Sequence, residues 1–245
     1  MKLLPIAIPS YHRAHLLHAK TLRYLRRELY PAHLITIFVA DEEEAEAYRR
    51  ATPELLYGQI VVGVKGLAEQ RNFISNYYPE GELICQFDDD VSKLVGGKTL
   101  AEVLEKGVQW MEEHDADLFS VMPNSDKRRL KDDYTLHLTH CIGAFFVIRN
   151  DRSLKMEHSD LEDYERTIKC FLKKGKVIRY RGAGVDTQYM NTTGVLQEGD
   201  RIARLRVAAE RLGQAYPKAC APIVKNGRPD IKLNWRFVID DACHS

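Results

Sequence analysis

The sequence has few cysteines, no long apolar run, and little glycine or proline for its length. Its 245 residues include 5 cysteines, 15 glycines and 9 prolines. The cysteines are scattered without a CxxC pair, so we expect neither a disulfide framework nor a structural zinc site. No apolar run reaches the roughly 18 residues that a membrane-spanning helix needs. The start of the chain is too short and too interrupted by Pro5 and Pro9 for a signal peptide, which favours a cytoplasmic protein without a membrane partner.

The composition is that of an ordinary globular protein. Hydrophobic residues make up 44% and charged residues 29% of the chain, which argues against a disordered or collagen-like protein. The formal net charge of +1 results from an uneven distribution of positive and negative residues along the chain. Residues 169–236 contain 15 Lys and Arg against 5 Asp and Glu, whereas the remainder contains 21 against 30. A chain of this kind can present a basic face to an anionic partner.

Short apolar runs alternate with amphipathic stretches through the first half, which is typical of βα units around a mainly parallel sheet. The predicted strands are 4–8, 34–40, 60–64, 83–87, 118–122, 141–148 and 176–180. The predicted helices are 14–30, 42–50, 66–77, 99–113, 161–173 and 201–212. No repeat or low-complexity linker interrupts the chain, so we predict a single α/β domain over residues 1–245.

The strongest chemical signal is the run Asp88-Asp89-Asp90 at the end of the predicted strand 83–87. Carboxylates at this position need partners, because each unpaired buried charge costs several kcal/mol. Ligands of open α/β sheets bind at the carboxyl ends of the strands. Mg²⁺ or Mn²⁺ bridging these carboxylates to a diphosphate would relieve their mutual repulsion. Taken alone, the run is explained equally well by a solvated acidic turn.

Three further features precede the acidic run in the chain. Pro9-Ser10-Tyr11 with Arg13 follows the first strand, Asp41 follows the second, and Gly66-Leu67-Ala68-Glu69-Gln70-Arg71-Asn72 opens a helix. In this order they resemble the GT-A glycosyltransferases. In that family a Pro-Ser loop and an acidic residue hold the nucleoside, a Gly-x-x-x-x-Arg-Asn helix lies near the sugar diphosphate, and DxD carboxylates bind the metal. The resemblance covers residues 4–180 and is tightest through Asp90.

The resemblance implies a Rossmann-like GT-A fold, with a mainly parallel central sheet flanked by helices, and a nucleotide-sugar-dependent transferase. It implies a nucleotide-sugar and metal-binding half over residues 1–125 and an acceptor-binding half over residues 126–245. Mn²⁺ or Mg²⁺ would bind at Asp88 and Asp90, and a UDP-sugar is the favoured donor. The implied donor contacts are Pro9, Ser10, Tyr11, Arg13, Asp41, Gly66, Arg71, Asn72, Asp88 and Asp89.

Two segments of the second half also fit the family. Residues 141–148 resemble the small-residue loop and strand that close over donor sugar and acceptor. Residues 159–165 resemble the family's Glu-Asp segment, in which a carboxylate deprotonates the acceptor hydroxyl. A positioned base of this kind accelerates transfer by roughly 10²–10⁴-fold. By this resemblance Asp163 is the catalytic base and Glu162 is its rival. Alternatively, these acids merely favour a helix N-terminus capped by Ser159.

Many GT-A enzymes take a later histidine as another metal ligand, and this chain offers three candidates, none of which the sequence singles out. They are His137, His140 and His158.

The basic segment bears on the acceptor. Residues 225–236 combine a flexible turn, cations and an aromatic ring, a composition that suits phosphate contacts and base stacking. The cations of residues 201–211, by contrast, fit a solvated helix face. These features resemble the compact phage DNA-modifying glycosyltransferases associated with TET/JBP-type dioxygenases, which would act in the host cytoplasm. The implied acceptor contacts are Gly143, Lys174, Arg181, Gln188, Lys225, Arg228, Lys232, Trp235 and Arg236.

We therefore predict a metal-dependent transferase that moves a sugar to the hydroxyl of 5-hydroxymethylcytosine or 5-hydroxymethyluracil in DNA, with inversion favoured over retention. A base inside a duplex would have to be flipped out to react. Two alternatives stay open. One is a GT-A transferase with a polysaccharide, protein or small-molecule acceptor. The other is a non-catalytic nucleic-acid-binding protein on the same scaffold.

Overall fold

The computed structural model describes residues 3–187 and 198–239, whose centre is a sheet of nine strands. Gln188, predicted as an acceptor contact, lies outside the described residues. The strands are β1 (Ile6–Pro9), β2 (Ile35–Val39), β3 (Gln59–Val62), β4 (Leu83–Phe87), β5 (Val91–Val95), β6 (Leu118–Met122), β7 (Tyr134–Thr135), β8 (Phe145–Arg149) and β9 (Ile178–Thr187). Their order is β3-β2-β1-β4-β8-β6-β9-β5, and β7 pairs with β9.

The sheet has a parallel half and a mixed half. Strands β3, β2, β1 and β4 pair in parallel. Strand β8 runs antiparallel to both β4 and β6, and β6 pairs in parallel with β9. Within the described residues, β1–β4, β6 and β9 therefore share one direction, and their carboxyl ends lie along the same edge. This arrangement confirms the predicted α/β class with a mainly parallel sheet.

Helices cover both faces of the sheet. They are α1 (Ala14–Leu17), a π-helical turn (His18–Leu22), α2 (Arg23–Arg27), α3 (Glu42–Ala51), α4 (Leu67–Tyr77), α5 (Leu100–Glu113), α6 (Glu162–Lys174) and α7 (Glu198–Ala215). The predicted helix 14–30 is thus interrupted by the π-helical turn and ends earlier. No helix in the described part of the chain is both long and apolar enough to cross a bilayer.

Each inner strand feeds two hydrophobic cores, because successive side chains of a strand lie on opposite faces of the sheet. On β1, Ile6 and Ile8 belong to the core that contains Leu25 of α2, whereas Ala7 belongs to the core that contains Phe171 of α6. All four residues of β1 and all five of β2 are buried. Burial on both faces explains why these strands are continuous apolar runs in the sequence.

The C-terminal segment forms a hairpin outside the main sheet. Strands β10 (Cys220–Lys225) and β11 (Arg228–Leu233) pair in antiparallel register. They are joined by Asn226 and Gly227, both with positive φ (51° and 75°), as a tight hairpin turn requires. The hairpin packs on α7, where a Cβ on Gly213 would lie 2.6 Å from Pro222. Neither this hairpin nor strands β5 and β7 are among the elements predicted from the sequence.

Two predicted strands have different limits in the structure. The strand predicted over 141–148 begins only at Phe145, because the backbone of Gly143 makes hydrogen bonds to side chains instead of to a neighbouring strand. The strand predicted over 176–180 continues to Thr187, since its second half pairs with β5.

Candidate active site

The loops after β1 and β4 meet at the carboxyl edge of the sheet around Asp89. Ser10 Oγ donates a hydrogen bond to Asp89 Oδ2 at 2.6 Å and lies 2.6 Å from the Tyr48 hydroxyl. Arg13 Nη1 donates to Asp89 Oδ1 at 3.1 Å. Burial raises the pKa of Asp89, although Arg13 and Ser10 oppose this by stabilising the anion. Asp89 therefore fixes the loop that follows β1, and three of the predicted donor contacts stand together.

Asp88 and Asp90 flank this buried carboxylate, and both are partly exposed. The pKa of Asp88 is raised to about 7, mainly by burial, with Arg71 opposing this and the charges of Asp90 and Glu162 adding to it. Burial and then the charge of Asp89 raise the pKa of Asp90. Crowded oxygen donors of this kind fit Mg²⁺ or Mn²⁺, whose charge would relieve the repulsion.

A metal ion bound by Asp88 and Asp90 would need further ligands from a bound diphosphate or from water. Among residues 3–187 and 198–239, no three His, Cys, Asp or Glu side chains are grouped so that they alone could hold a metal ion. Mg²⁺ commonly binds one or two carboxylates and completes its shell with phosphate oxygens and water. The residues present therefore fit a metal that is shared with a diphosphate.

Arg71 on α4 is almost completely buried, with 4% of its surface exposed. Its Nη1 donates to Gln86 Oε1 at 2.8 Å, and its Nη2 donates to Asp88 Oδ1 at 2.8 Å and to the Gly143 carbonyl at 3.2 Å. Nη2 also lies 3.5 Å from Glu162 Oε1. One guanidinium thus joins β4, the loop before β8 and the start of α6.

The other predicted donor contacts lie around this centre. Pro9 ends β1, and the Tyr11 ring lies 5.4 Å from Lys65 Nζ. Asp41 is exposed and caps α3 by accepting from the Glu44 amide at 2.9 Å.

Gly66 precedes α4 with φ +103°, and a Cβ there would meet the Glu69 carboxylate at 2.2 Å. The side-chain amide of Asn72 makes two hydrogen bonds of 2.8 Å with the backbone of Met156, one as donor and one as acceptor. The donor roles of Gly66 and Asn72 stay predictions.

Asp163, the predicted base, stands at the first turn of α6 and accepts three hydrogen bonds. Its Oδ2 accepts from His140 Nε2 at 2.8 Å and from the Gly143 amide at 3.3 Å, and its Oδ1 accepts from the Tyr164 amide at 3.0 Å. Burial opposes its ionisation, but the attraction of His140, the hydrogen bonds and the charge of Arg166 outweigh burial and lower the pKa of Asp163 to about 2.

Glu162, the rival base, is occupied by two arginines. It is buried, forms an ion pair with Arg166 one turn along α6, and faces Arg71 on its other oxygen. The residue before it, Leu161, has φ 62° and makes no side-chain cap. Ser159, predicted as the N-cap of this helix, instead accepts a hydrogen bond from the Ala68 amide of α4 at 3.1 Å.

Of the three histidine candidates, His140 is the one bound to Asp163. Its ring also stacks on Tyr164, with the ring centres 4.0 Å apart and the planes 8° from parallel. His137 lies 5.9 Å from the Trp235 ring, and burial followed by the charges of Arg179 and Arg181 lowers the pKa of His137. In the described part of the chain, no histidine joins Asp88 and Asp90 in a group of three metal ligands.

The hairpin contacts the first turn of α6 through a hydrogen bond from the Tyr164 hydroxyl to Asp230 Oδ1 at 2.9 Å. Residues on one face of a hairpin alternate along each strand. The register pairs Lys225 with Arg228, Ile223 with Asp230, and Ala221 with Lys232. The predicted cations Lys225, Arg228 and Lys232 therefore share the face that carries Asp230.

An aromatic ring and a further cation follow β11. The Trp235 side chain is 57% exposed, and the Arg236 guanidinium lies 4.7 Å from its ring centre. We call Lys225, Arg228, Lys232, Trp235 and Arg236 the basic hairpin.

Two predicted acceptor contacts outside the basic hairpin are held in ion pairs. Lys174 pairs with Asp115 at the opposite end of α6 from Asp163, and a helix of 13 residues is about 20 Å long. Arg181 pairs with Asp133 on the loop before β7. Their acceptor roles stay predictions.

Two residues of the candidate active site were not predicted from the sequence. Gln86 and Tyr48 hold Arg71 and Ser10, respectively. Gln86 carried a usable signal, because it is a polar residue in an otherwise apolar strand two positions before Asp88. Tyr48 carried none, since its position in α3 is that of an ordinary core residue.

Comparison with family models and with curated proteins finds no match. Among solved structures, a mannosyltransferase from Pyrobaculum calidifontis in complex with GDP-Man and Mn²⁺ is similar, with a TM-score of 0.59 at 16% identity. The predicted fold is confirmed: it is a GT-A-like glycosyltransferase fold. The match covers 86% of this chain and 63% of the mannosyltransferase, so this chain spans less than two thirds of that protein's length.

Two structures of UDP-glucose pyrophosphorylase are more distant. One is in complex with UDP-glucose, and its match covers 76% of this chain and 92% of that one. The other is the apo form, with coverages of 75% and 92%. Both have a TM-score of 0.45 and 8% identity.

Proposed function

We propose that this chain is a metal-dependent glycosyltransferase that uses a nucleotide sugar as its donor. The observation that carries the proposal is the meeting of Ser10, Arg13, Arg71 and Asp88 with Asp163 at one edge of a glycosyltransferase fold. The similar mannosyltransferase binds GDP-Man and Mn²⁺, which supports a donor and a metal of these classes here.

On the donor side, Asp88 and Asp90 would hold Mn²⁺ or Mg²⁺, which supplies positive charge to the departing diphosphate when bound. Arg71 keeps Asp88 in place, and the loop from Ser10 to Arg13 forms the wall against which the nucleoside would lie. The favoured donor is a UDP-sugar.

On the acceptor side, the carboxylate that serves the reaction is Asp163 and not Glu162. Both oxygens of Glu162 face buried guanidinium groups, so it balances the charges of Arg71 and Arg166. Asp163 keeps 22% of its side chain exposed. A hydroxyl activated beside Asp163 would attack the sugar from the side opposite the leaving diphosphate, which gives inversion.

The acceptor we propose is the hydroxymethyl group of a modified pyrimidine in DNA. The basic hairpin supports this choice, because three cations share the face that bonds Tyr164, next to Asp163 in the chain. Exposed Trp235 with stacked Arg236 suits a flipped or single-stranded base.

The test is incubation of the protein with Mn²⁺, a panel of UDP- and GDP-sugars, and duplexes that contain 5-hydroxymethylcytosine or 5-hydroxymethyluracil. Nucleoside mass spectrometry should find a hexose or pentose added to the modified base, and none with EDTA or unmodified DNA. Release of nucleoside diphosphate without a modified nucleoside would keep the transferase and reject the DNA acceptor. DNA binding without turnover of any nucleotide sugar would reject the enzyme in favour of a binding protein.

A further inference from the structure

We propose that His140 is the catalytic residue that takes the proton from the acceptor hydroxyl, and that Asp163 is a positioning residue which orients its ring. This inference rests on the proposed function and assigns the proton acceptor within that site. It departs from the sequence-based prediction, in which the carboxylate itself accepts the proton.

The carboxylate of Asp163 already accepts hydrogen bonds on both of its oxygens. Three donors, the His140 ring and the amides of Gly143 and Tyr164, bind its two oxygens. A carboxylate that accepts several hydrogen bonds is stabilised as an anion and accepts a proton poorly. Asp163 is therefore held as an anion that binds the His140 ring, rather than presented to the acceptor as a free base.

The carboxylate of Asp163 also selects one tautomer of the neutral His140 imidazole. Ionised Asp163 can only accept hydrogen bonds, so the proton of a neutral His140 lies on Nε2, which faces it at 2.8 Å. The other nitrogen, Nδ1, then carries a lone pair that can accept a proton. His140 and Asp163 keep 19% and 22% of their side chains exposed, so solvent and an acceptor can reach the pair.

The His140 ring is held in one orientation. Its face stacks on Tyr164 at 4.0 Å, and the hydroxyl of Tyr164 is fixed by Asp230 of the hairpin. A base must be held within hydrogen-bond reach of the proton that it removes. The contact of Tyr164 with Asp230 links this orientation to the surface where we propose that the acceptor binds.

Four charged or titratable groups surround His140. Asp163 and Tyr164 face it from α6, and Arg166, one turn further, acts on Asp163. From β9, Arg179 Nη1 donates to the His140 carbonyl at 3.5 Å.

A histidine whose ring N–H is held by a carboxylate is also a common metal ligand. Within the described ranges, however, His140 does not stand in a group with Asp88 and Asp90 that could hold a metal ion.

The proposed step conserves atoms and charge. The acceptor O–H bond breaks, and its proton goes to His140 Nδ1. An electron pair of the oxygen forms the new bond to the anomeric carbon. The bond from that carbon to the diphosphate oxygen breaks, and its electron pair leaves with the nucleoside diphosphate. The imidazolium beside Asp163 then returns its proton to water.

The kinetic test compares His140→Gln and Asp163→Asn with wild type, with His33→Gln as the control because His33 is exposed and remote from the site. We expect His140→Gln to lower kcat about 10²–10⁴-fold with the KM for the donor unchanged. Wild-type kcat should fall as the pH is lowered from about 8 to 5, the range in which imidazoles are protonated. The residual rate of His140→Gln should lack this dependence.

Three kinetic results would overturn the assignment. One is near wild-type turnover by His140→Gln. Another is a wild-type rate that stays flat down to about pH 4 while Asp163→Asn alone is inactive, which would make the carboxylate the base. The third is loss of donor binding by His140→Gln with a changed requirement for Mn²⁺, which would make the histidine a metal ligand.

A second measurement does not depend on the transferase activity. Nitrogen-15 shifts of the His140 ring should report a proton on Nε2 in the wild-type protein, and Asp163→Asn should reduce that preference. A proton on Nδ1 in the wild type would overturn the proposal. The wild-type protein could show the Nε2 proton and its dependence on Asp163 and yet turn over no nucleotide sugar. That result would reject the proposed function and leave the pairing of His140 with Asp163 intact.

Discussion

On the donor side, Arg13 and Arg71 each bind a carboxylate across a long stretch of chain, and Asp89 and Arg71 are buried. On the basic hairpin, Lys225 and Lys232 are exposed on a two-stranded unit outside the main sheet. Buried ion pairs fix geometry, and the loss of one partner leaves an uncompensated charge. Exposed cations act through screened, adjustable attraction. Under the proposed function, the same residue types would therefore serve positioning on the donor side and association on the acceptor side.

The largest effect should come from removing a metal-binding carboxylate. We expect Asp90→Ala to lower transfer about 10³-fold or more, because charge stabilisation of the leaving diphosphate is worth several kcal/mol. The fold should survive, since Asp90 is partly exposed and its pKa is raised by burial and by Asp89. The measurement is kcat with saturating donor together with circular dichroism, and Glu46→Ala on the exposed face of α3 is the control. Unchanged turnover would reject the metal assignment.

The next effect concerns stability. Arg71→Met should lower the free energy of unfolding by about 3–5 kcal/mol, because it leaves Asp88 and Glu162 facing each other without their shared cation. The matched control is Arg49→Met, whose exposed pairs with Glu42 and Glu46 predict a change of about 0–1 kcal/mol. Urea unfolding monitored by fluorescence measures both. Similar losses for the two variants would erase the distinction between buried and exposed pairs.

A third prediction uses pH. The pKa of Asp163 is lowered from 3.8 to about 2, so its contribution to stability is complete above about pH 4 and is lost as the pH falls through about 2. Asp163→Asn lacks this contribution, which is of the order of 2 kcal/mol. The difference in unfolding free energy between wild type and Asp163→Asn should therefore shrink from pH 5 to pH 2.5. A constant difference over that range contradicts the prediction.

The smallest effect should come from the hairpin and should depend on salt. Lys225→Ala combined with Lys232→Ala should weaken binding of a 5-hydroxymethylcytosine duplex about tenfold and reduce the salt slope by about 2. The matched control is Lys98→Ala with Lys106→Ala, because both of those cations pair with Asp132. Fluorescence anisotropy from 50 to 200 mM salt, a range chosen because phosphate contacts respond steeply there, measures both. Equal slopes for the two double variants would show that the hairpin is not the DNA-binding surface.

Much of the fold could be predicted because its inner strands are isolated apolar runs. Strands β4 and β6 have the predicted limits. The hairpin was missed because its strands lack a clean alternation: Val224, on an otherwise apolar face, is 74% exposed. The Asn226-Gly227 dipeptide was the available signal, since it favours the turn that joins two paired strands.

The candidate site could be predicted by residue type but not by pairing. The acidic run stood out in the sequence, yet nothing local distinguishes Asp89, which is held by Ser10 and Arg13, from its neighbours. The bond between His140 and Asp163 spans 23 positions, and that between Arg71 and the Gly143 carbonyl spans 72. Such pairings are set by how strands and helices pack, which local spacing does not encode.

Gly143 belongs to both sides of the site at once. Its carbonyl accepts from Arg71, which holds Asp88, and its amide donates to Asp163, which holds His140. A side chain there would press on Glu162 at 2.9 Å. One residue therefore links the proposed donor and acceptor sides through its backbone, in a reaction whose atoms must approach to about 3–3.5 Å before bonds exchange. A shift of the backbone at Gly143 would displace its contacts with Arg71 and Asp163 together.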